Sequence, residues 1–227
     1  MGGMGERENF MYHYIEDKDF LKRMKSLCSD IINQLVQSIN NDSVMTVEAH
    51  LVGSGAKNLI TQNANEPIDL DYNLCILEVF DVSFNDGRAV REHIRKHFNA
   101  VLNNNDWSDC QDSTSALSTE QRYFIKGNKT NFSIDLAIVR ENSRGWERLV
   151  HRKTGFINCD QWYWNEAPKS RGLTEKVCDI KDENLWQEVR DLYLEKKNMY
   201  LRRGDHNHPS FIVYIETINE IHSKYFR

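Results

Sequence analysis

Two aspartates one residue apart, Asp69 and Asp71, are the side chains that most clearly could do chemistry in this sequence. They lie on an apolar stretch predicted to be a strand, and the two-residue period of a strand puts both carboxylates on one face. Neighbouring carboxylates repel each other unless a cation or a shared proton relieves the repulsion. The pair therefore predicts a metal site rather than a piece of hydrophobic core.

A third carboxylate, Asp135, lies in the middle of a second predicted strand, over residues 131–140. Apolar side chains alternate along this strand, and Ser133 and Asp135 share its polar face. Mg²⁺ prefers oxygen ligands, and two such ions can clamp the attacking and leaving oxygens of a phosphoryl displacement. The three aspartates therefore predict one or two divalent ions, and Asp135 is placed to act as a general base.

A glycine-serine turn, Gly53-Ser54, lies between a predicted strand and the paired aspartates. Glycine lets backbone N–H groups approach a phosphate, the start of the next helix favours anions, and Ser54 adds a hydroxyl donor. Each motif alone is weak, because aspartates often cap turns or lie in exposed strands. The conjunction of the turn, the pair and the later mid-strand aspartate predicts a phosphate-binding metal site.

Hydrophobic periodicity predicts the elements that must position these residues. Helices are expected over residues 17–41, 56–63, 88–103, 173–183, 184–203 and 210–225. Strands are expected over residues 45–52, 69–79, 121–126 and 131–140, the last two forming a hairpin. The fold class is α/β (or α+β): a small mixed sheet with helices on one side, followed by a helical C-terminal lobe. Because the strand pattern ends after Glu141, we place a domain boundary near residue 143.

Composition restricts the class of protein. The 227 residues are 40% hydrophobic and 28% charged, without an apolar run long enough to span a membrane. The first eight residues lack the apolar segment of a signal peptide, so we expect a cytoplasmic protein. Five widely spaced cysteines without a CxxC motif predict reduced thiols. A net charge of -5 lacks the basic footprint of a general nucleic-acid binder.

The order of the motifs resembles the DNA-polymerase-β-like nucleotidyltransferase superfamily over about residues 45–140. Within it, the stretch from Gly53 to Lys57 is similar to the GSxAK stretch of oligoadenylate-synthetase-like enzymes and bacterial cyclic-oligonucleotide synthases. The segment from Gly155 to Lys169, with Trp162, is similar to the region after the third aspartate in those enzymes. The resemblance implies a nucleotidyltransferase core over residues 1–143 and, over residues 144–227, a helical lobe that closes the nucleotide cleft.

The resemblance also implies roles for the site residues. The three aspartates Asp69, Asp71 and Asp135 would hold Mg²⁺ or Mn²⁺, and Asp135 would deprotonate the acceptor. The NTP would be bound by Gly53, Ser54 and Lys57. The reaction would move a nucleoside monophosphate from an NTP to an acceptor hydroxyl and release pyrophosphate.

Three residues of the C-terminal lobe are weaker candidates for NTP binding. Lys196 falls in the middle of the apolar stripe of its helix, where a lysine either snorkels or points into a cleft. The family places a triphosphate-binding lysine on a helix after the core, so we favour the cleft, with Lys197 second. Ser210 begins the last predicted helix, where capping is the first interpretation and phosphate contact the second.

Two groups of side chains keep two interpretations each. The aromatic run from Trp162 to Trp164 either stacks a base or fills the core. The basic residues that come after the predicted strands either receive an anionic substrate or form a solvated face. They are Arg144, Arg148, Arg152 and Lys153.

The acceptor stays open between a small molecule such as an antibiotic, a second nucleotide, a tRNA end and a protein side chain. The net charge of -5 disfavours a long nucleic acid. Two other functions are a nucleotide-binding sensor or partner module without turnover, and a metal-dependent phosphohydrolase with water as acceptor. The complete set of three aspartates argues against the sensor. The Gly53-Ser54 turn is not needed by the hydrolase.

Overall fold

The structure, a computed structural model, describes residues 11–80, 86–167, 172–205 and 208–226. Its helices are α1 (Lys18–Asn40), α2 (Gly53–Lys57), α3 (Gly87–Asn104), α4 (Leu173–Asp182), α5 (Trp186–Arg203) and α6 (Ser210–Tyr225). Its strands are β1 (Tyr12–Tyr14), β2 (Met45–Leu51), β3 (Thr61–Asn63), β4 (Ile68–Val79), β5 (Gln111–Asp112), β6 (Leu117–Ser118), β7 (Phe132–Asn142), β8 (Gly145–Arg152) and β9 (Gln161–Glu166). They form two compact units. The larger contains Asp17–Lys57 and Pro67–Ala167, and the smaller contains the described parts of Met1–Glu16, Asn58–Glu66 and Pro168–Arg227.

A mixed sheet is the framework of the larger unit. Its strand order is β2-β4-β7-β6-β5, with β8 paired to the later part of β7 and β9 paired to β8. β4 and β7 are parallel, and the other pairings are antiparallel. Alternate side chains of the two central strands are fully or almost fully buried on one face. They are Leu70, Tyr72, Leu74, Ile134, Leu136 and Ile138.

Helix α1 covers this apolar face, and α3 packs against α1. The side chain of Asp17 caps α1 by accepting a 2.9 Å hydrogen bond from the Phe20 backbone N–H. The Ser29 and Tyr72 hydroxyls are hydrogen bonded at 2.9 Å, which fixes α1 over β4. The predicted α/β (α+β) fold class, a mixed sheet with helices behind it and further helices after it, is confirmed.

Most predicted elements lie within two residues of those observed, but the helix expected over residues 56–63 is wrong. Helix α2 ends at Lys57, because Asn58 takes a left-handed conformation with φ of 56°. Residues 61–63 then form β3, which pairs antiparallel with β1. The helix prediction failed because a strand partner far away in sequence determines the conformation here.

The hairpin predicted between residues 121–126 and 131–140 is also wrong. Only a bridge between Arg122 and Phe132 is present in the described part of that first arm. Strand β7 pairs with β4 along one edge and with β6 and β8 along the other, so that no edge remains for a longer arm. Its hairpin partner is β8, joined through a two-residue turn between Asn142 and Gly145.

The expectation that strand structure stops after Glu141 is therefore a further error. Strands β8 and β9 continue the sheet, and the boundary expected near residue 143 falls inside the β7–β8 hairpin. The two compact units instead separate near residues 16, 57, 66 and 167. The aromatic segment of β9 has no regular alternation of apolar and polar residues, so its strand was not visible in the pattern.

The smaller unit is mainly helical. Helices α4, α5 and α6 pack around a buried core, and the paired strands β1 and β3 lie in the same unit. The backbone N–H of Tyr12 donates to the Asn198 Oδ1 atom at 2.7 Å, and Asn198 Nδ2 donates to the Tyr12 carbonyl at 3.0 Å. These bonds attach β1 to α5. In the part of the chain that the structure describes, no helix combines the length and apolarity needed to cross a bilayer.

A fully buried arginine, Arg91, connects α3 to the irregular side of the sheet. Its Nε donates to Asp112 Oδ1 at 2.7 Å, and its other nitrogens donate to the carbonyls of Ser113 and Ala116 at 2.6 and 2.9 Å and of Leu149 at 3.3 Å. A buried charge is tolerated only when it is paired and hydrogen bonded. Arg91 therefore holds the short strands β5 and β6 against α3 and β8.

We expect Arg91→Leu to lower the free energy of unfolding by about 3–5 kcal/mol, because it removes the charge partner of Asp112 Oδ1 and a donor to three carbonyls inside the fold. Arg95→Leu is the matched control on the same helix. Arg95 is bonded to Glu92 on the surface, and its loss should change stability by less than about 1 kcal/mol. Urea unfolding followed by circular dichroism measures both. Similar losses in the two variants would contradict the assignment of Arg91.

Candidate active site

Parallel pairing of β4 with β7 brings the predicted carboxylates together. In the register of the two strands, Asp71 lies opposite Asp135 and Asp69 lies opposite Ser133. On the other edge of β7, Ser118 of β6 lies opposite Asp135. Neighbouring strands are about 4.8 Å apart, and residues in register point to the same face. The three aspartates therefore share one side of the sheet, opposite the apolar core.

The carboxylates perturb one another. The pKa of Asp71 is raised to about 6, first by burial among protein atoms and then by the negative charges of Asp135 and Asp69. Burial also raises the pKa of Asp135, with a further contribution from Asp69. The side chains of Asp69 and Asp71 nevertheless remain exposed to solvent. We interpret this combination as a concentration of negative charge that is reachable from solvent, which suits a cation.

Two serines support the aspartates. The Ser133 hydroxyl donates to Asp69 Oδ1, and a hydrogen bond from Ser118 lowers the pKa of Asp135. The sequence placed Ser133 on the polar face of its strand but gave it no role. Ser118 gave no signal at all, because β6 is two residues long and has no periodicity to recognise.

The glycine-serine turn lies directly against one of the aspartates. Gly53 has a φ of 61°, and a Cβ atom placed on it would be 2.4 Å from Asp71 Oδ2. The Val52 N–H donates to the Asp71 carbonyl at 2.8 Å, which fixes the turn to β4. Glycine is required here for two reasons: the backbone is in the left-handed region, and Asp71 leaves no room for a Cβ atom.

Two lysines donate to backbone carbonyls of this turn. Lys57 Nζ donates to the Gly53 carbonyl at 3.1 Å, and Lys25 Nζ donates to the Gly55 carbonyl at 2.6 Å. Burial lowers the pKa of both lysines, and Asp71 partly offsets this effect for Lys57. The sequence predicted Lys57 through the GSxAK stretch, but it missed Lys25. That residue comes from α1, and only the packing of the helix brings it to the turn.

One member of the basic group, Arg148, lies close enough to the aspartates to lower the pKa of Asp71. It belongs to β8 and lies opposite Val139 of β7.

The tryptophans of the aromatic run from Trp162 to Trp164 make different contacts. Trp162 stacks on His151 with ring centroids 4.4 Å apart, which makes it a packing residue. Arg140 lies 4.2 Å from the ring centroid of Trp164. Residues 168 and 169, the end of the matching segment, are outside the described residues.

Lys196, Lys197 and Ser210 belong to the smaller unit. Lys196 Nζ lies 2.9 Å from a Glu220 oxygen, and Lys197 Nζ donates to Thr61 Oγ1 at 2.9 Å. Ser210 is the first residue of α6, and the N-cap position is occupied by Pro209, where no side-chain capping bond is made. The capping interpretation is wrong, because only the residue before the first helical turn can cap it. The roles of all three in NTP binding stay predictions.

Solved structures of similar fold include those of CdnC from E. coli and DncV from Vibrio cholerae. CdnC of E. coli MS115-1, in a structure with ATP, aligns with a TM-score of 0.54 and 13% identity over 92% of this chain and 62% of that chain. CdnC in a complex with HORMA-deltaN gives a TM-score of 0.52 and 14% identity over 89% of this chain and 60% of that chain. DncV of Vibrio cholerae, a cyclic AMP-GMP synthase, aligns in its 3′-deoxy ATP bound form with a TM-score of 0.51 and 12% identity, over 77% of this chain and 45% of that chain.

The likeness to these structures is one of fold alone, at 12–14% identity. This chain spans 62% of the CdnC chain and 45% of the DncV chain. No family model matches the sequence, and no curated protein matches it.

We expect Gly53→Ala to weaken Mn²⁺ binding about tenfold or more, because the new methyl group would displace the Asp71 carboxylate. Gly155→Ala is the matched control. Gly155 also has a positive φ, of 86°, but a Cβ there would meet no atom within 4 Å, so only backbone strain is shared. Electron paramagnetic resonance of free Mn²⁺ gives both affinities. Equal losses would mean that strain, and not contact with Asp71, is responsible.

We expect Lys197→Met to stabilise the chain by about 1–2 kcal/mol at pH 7. Burial lowers the pKa of Lys197 from 10.5 to about 8, so the folded protein disfavours the charged form. This penalty is complete below pH 8 and disappears as the pH rises to about 10.5, where the unfolded chain also loses the proton. The gain should therefore shrink over that window in thermal or urea unfolding.

The control for this pH dependence is Lys196→Met, which removes the neighbouring lysine and its pairing with Glu220. We expect this variant to stay within about 1 kcal/mol of the parent protein at pH 7. A Lys197→Met gain that is constant from pH 7 to pH 10.5 would show that packing, and not charge, is its source.

Proposed function

We propose that this chain is a nucleotidyltransferase that moves a nucleoside monophosphate from an NTP to an acceptor hydroxyl and releases pyrophosphate. One observation carries the proposal. The register of β4 and β7 sets Asp71 opposite Asp135, with Asp69 two residues before Asp71, and Gly53 lies against Asp71. A glycine turn of the kind that binds phosphate and a set of carboxylate metal ligands thus lie at the same place. A fold shared with CdnC and DncV supports the same reaction class.

The donor atoms of this site fit Mg²⁺ or Mn²⁺. Asp69, Asp71 and Asp135 offer carboxylate oxygens, which hard divalent cations prefer. The pKa values of Asp71 and Asp135 are raised first by burial and then by neighbouring carboxylates, and a bound cation would oppose both effects. A bound Mg²⁺ would neutralise charge on the triphosphate and align it with the acceptor.

The protein's own groups would then position the substrate. Because Gly53 has no side chain, the triphosphate can approach the turn closely, and the Ser54 hydroxyl can donate to it. Lys57 and Arg148 both lie close enough to Asp71 to lower its pKa, and they would provide positive charge for the phosphates. Phosphoryl transfer asks little covalent chemistry of a protein, so that positioning and charge neutralisation determine the rate.

Asp135 is the proposed acceptor of the proton from the attacking hydroxyl. On β7 it lies between Asp71 of β4 and Ser118 of β6, which are its partners in register on the two neighbouring strands. It shares the face of the sheet on which all three carboxylates lie. A general base needs to be within hydrogen-bond reach of the hydroxyl that attacks the α-phosphate. Because Asp135 lies beside the other two proposed metal ligands, it can reach that hydroxyl, and no further residue has to act as the base.

Lys197 is the stronger of the two proposed lysines for triphosphate binding. Lys196 is engaged with Glu220, whereas no carboxylate among the described residues forms an ion pair with Lys197. Lys197 instead contacts Thr61 and lies 3.8 Å from the ring centroid of Tyr12. The negative charge of Glu66 acts on Lys197 without forming an ion pair with it, and a buried ammonium group in that position is suited to receive phosphate charge. Ser210 remains the third candidate.

The nucleotide ligands of the similar structures support an NTP as substrate, since CdnC was solved with ATP and DncV with 3′-deoxy ATP. DncV is a cyclic AMP-GMP synthase, which favours a second nucleotide as the acceptor here. A small molecule, a tRNA end and a protein side chain are the acceptors that an experiment must compare with it.

The direct test incubates the full chain with each α-labelled NTP, Mg²⁺ or Mn²⁺, and either the other NTPs, a metabolite extract or RNA. Labelled adduct together with pyrophosphate supports the transferase and identifies the acceptor class. Inorganic phosphate without an adduct would support the phosphohydrolase instead. Saturable NTP binding without any product under all of these conditions would support a sensor without turnover.

We expect Asp69→Asn and Asp71→Asn each to lower transfer by about a thousandfold or more, because each removes one negative ligand from the metal site. Asparagine keeps the size of the side chain, so the fold should be unchanged. Asp30→Asn, on the exposed surface of α1, is the control and should keep full activity. Activity that survives in both site variants would overturn the metal-site assignment while leaving the fold intact.

A further inference from the structure

A second cluster of metal-ligand side chains lies on the helical layer of the larger unit. His93 and His97 are one turn apart on α3, and residues at this spacing project from the same side of a helix. Asp42 lies just after the end of α1 and completes the cluster. The catalytic aspartates lie on the sheet face opposite to α1, so the two groups are distinct.

The two imidazoles converge on one carboxylate oxygen. The Nε2 atoms of His93 and His97 each lie 2.8 Å from Asp42 Oδ2, and the two ring centroids are 4.7 Å apart. The other oxygen, Asp42 Oδ1, accepts a 3.0 Å hydrogen bond from the Val44 N–H. This bond fixes the carboxylate so that Oδ2 faces the histidines. One ligand atom from each of the three residues lies within 4.8 Å of the others.

A neighbouring hydroxyl orients one of the rings. Ser38 Oγ and His97 Nδ1 are hydrogen bonded at 2.8 Å. Histidines that bind metals usually make such a bond through the nitrogen that does not face the metal, and it fixes both the tautomer and the ring orientation. Ser38 therefore occupies the position expected of an outer partner of a metal ligand.

The nitrogen of the other ring has no hydrogen bond. His93 Nε2 is buried, and its contact with Asp42 Oδ2 lies outside hydrogen-bond geometry, so it has no hydrogen-bond partner among the described residues. Buried polar atoms in folded proteins are nearly always satisfied, and an exception calls for a specific cause such as an ion. A cation between the three ligand atoms would satisfy this nitrogen.

We propose that Asp42, His93 and His97 form a binding site for a divalent transition-metal ion, with Zn²⁺ as the best fit. Two imidazole nitrogens and one carboxylate oxygen are a ligand set for Zn²⁺, whereas Mg²⁺ selects oxygen ligands. Between 18% and 25% of each of the three side chains is exposed, which leaves room for a water ligand. The ion would fasten the end of α1 to α3 and stabilise the helical layer.

The test uses the full chain without an affinity tag, stripped of metal and kept in excess Mg²⁺ so that the aspartate site is occupied. Zn²⁺ is titrated calorimetrically into the parent protein and into variants. We expect Ser38→Ala to weaken Zn²⁺ binding by about tenfold to a hundredfold, and His93→Gln to weaken it more. Zn²⁺ should raise the melting temperature of the parent but not of His93→Gln.

The control variant is His50→Gln, because Glu48, His50 and Cys75 form another group among the described residues whose possible ligand atoms all lie within 4.8 Å of one another. We expect His50→Gln to bind Zn²⁺ like the parent. If His50→Gln loses the site while His93→Gln keeps it, the proposal is wrong. Absence of Zn²⁺ binding to the parent would also overturn it and leave the cluster as hydrogen-bonded packing.

A measurement on the parent protein covers the case in which a variant fails to fold. Diethyl pyrocarbonate modifies accessible imidazole nitrogens, and mass spectrometry of peptides locates them. Zn²⁺ should protect His97, whose side chain is 18% exposed, and leave His222, which is paired with Asp179 in the smaller unit, unchanged. Equal modification of His97 with and without Zn²⁺ would contradict the proposal. None of these readouts depends on nucleotidyl transfer.

Discussion

The parallel pairing of β4 with β7 is the interaction on which the rest of the structure depends. Residues Ile68 to Ile76 pair in unbroken register with Phe132 to Arg140, and the backbone ladder holds three carboxylates in one place against their repulsion. The opposite face of the same strands is buried under the helices, where each large aliphatic side chain contributes about 1.5–3 kcal/mol. Burial on one face thus offsets the electrostatic strain on the other.

The structure treats its charges in two contrasting ways. Arg91 and Asp112 form a buried pair in which each hydrogen-bonding group of the arginine has an acceptor, and this pair has a structural role. Asp69 and Asp71 are accessible, and their repulsion is not balanced within the fold. Charges that the fold neutralises belong to stability, whereas charges left in excess indicate where a ligand is expected.

The sequence alone predicts the parts of this structure that depend on local periodicity. The ends of the long helices and of the strands with strict alternation are predicted to within two residues. The alternation also predicts that Asp69, Asp71 and Asp135 lie on one face of the sheet. The failures share a physical cause. Strands β5 and β6 are too short to show a period, and β8 and β9 are defined by pairing across the sheet. Lys25 and Ser118 reach the site through tertiary packing, which no local pattern encodes.

The pairing of β4 with β7 also has a consequence for the folding of the chain. Asp69 and its partner Ser133 are separated by 64 residues, so the site requires closure of a long loop, and such contacts form slowly. During synthesis, a chain that has emerged only as far as α3 contains Asp69 and Asp71 but not Asp135. It also lacks β7, so the pairing that aligns the three carboxylates cannot yet form. The proposed cation site at these aspartates would therefore form only with completion of the central sheet, late and cooperatively in folding.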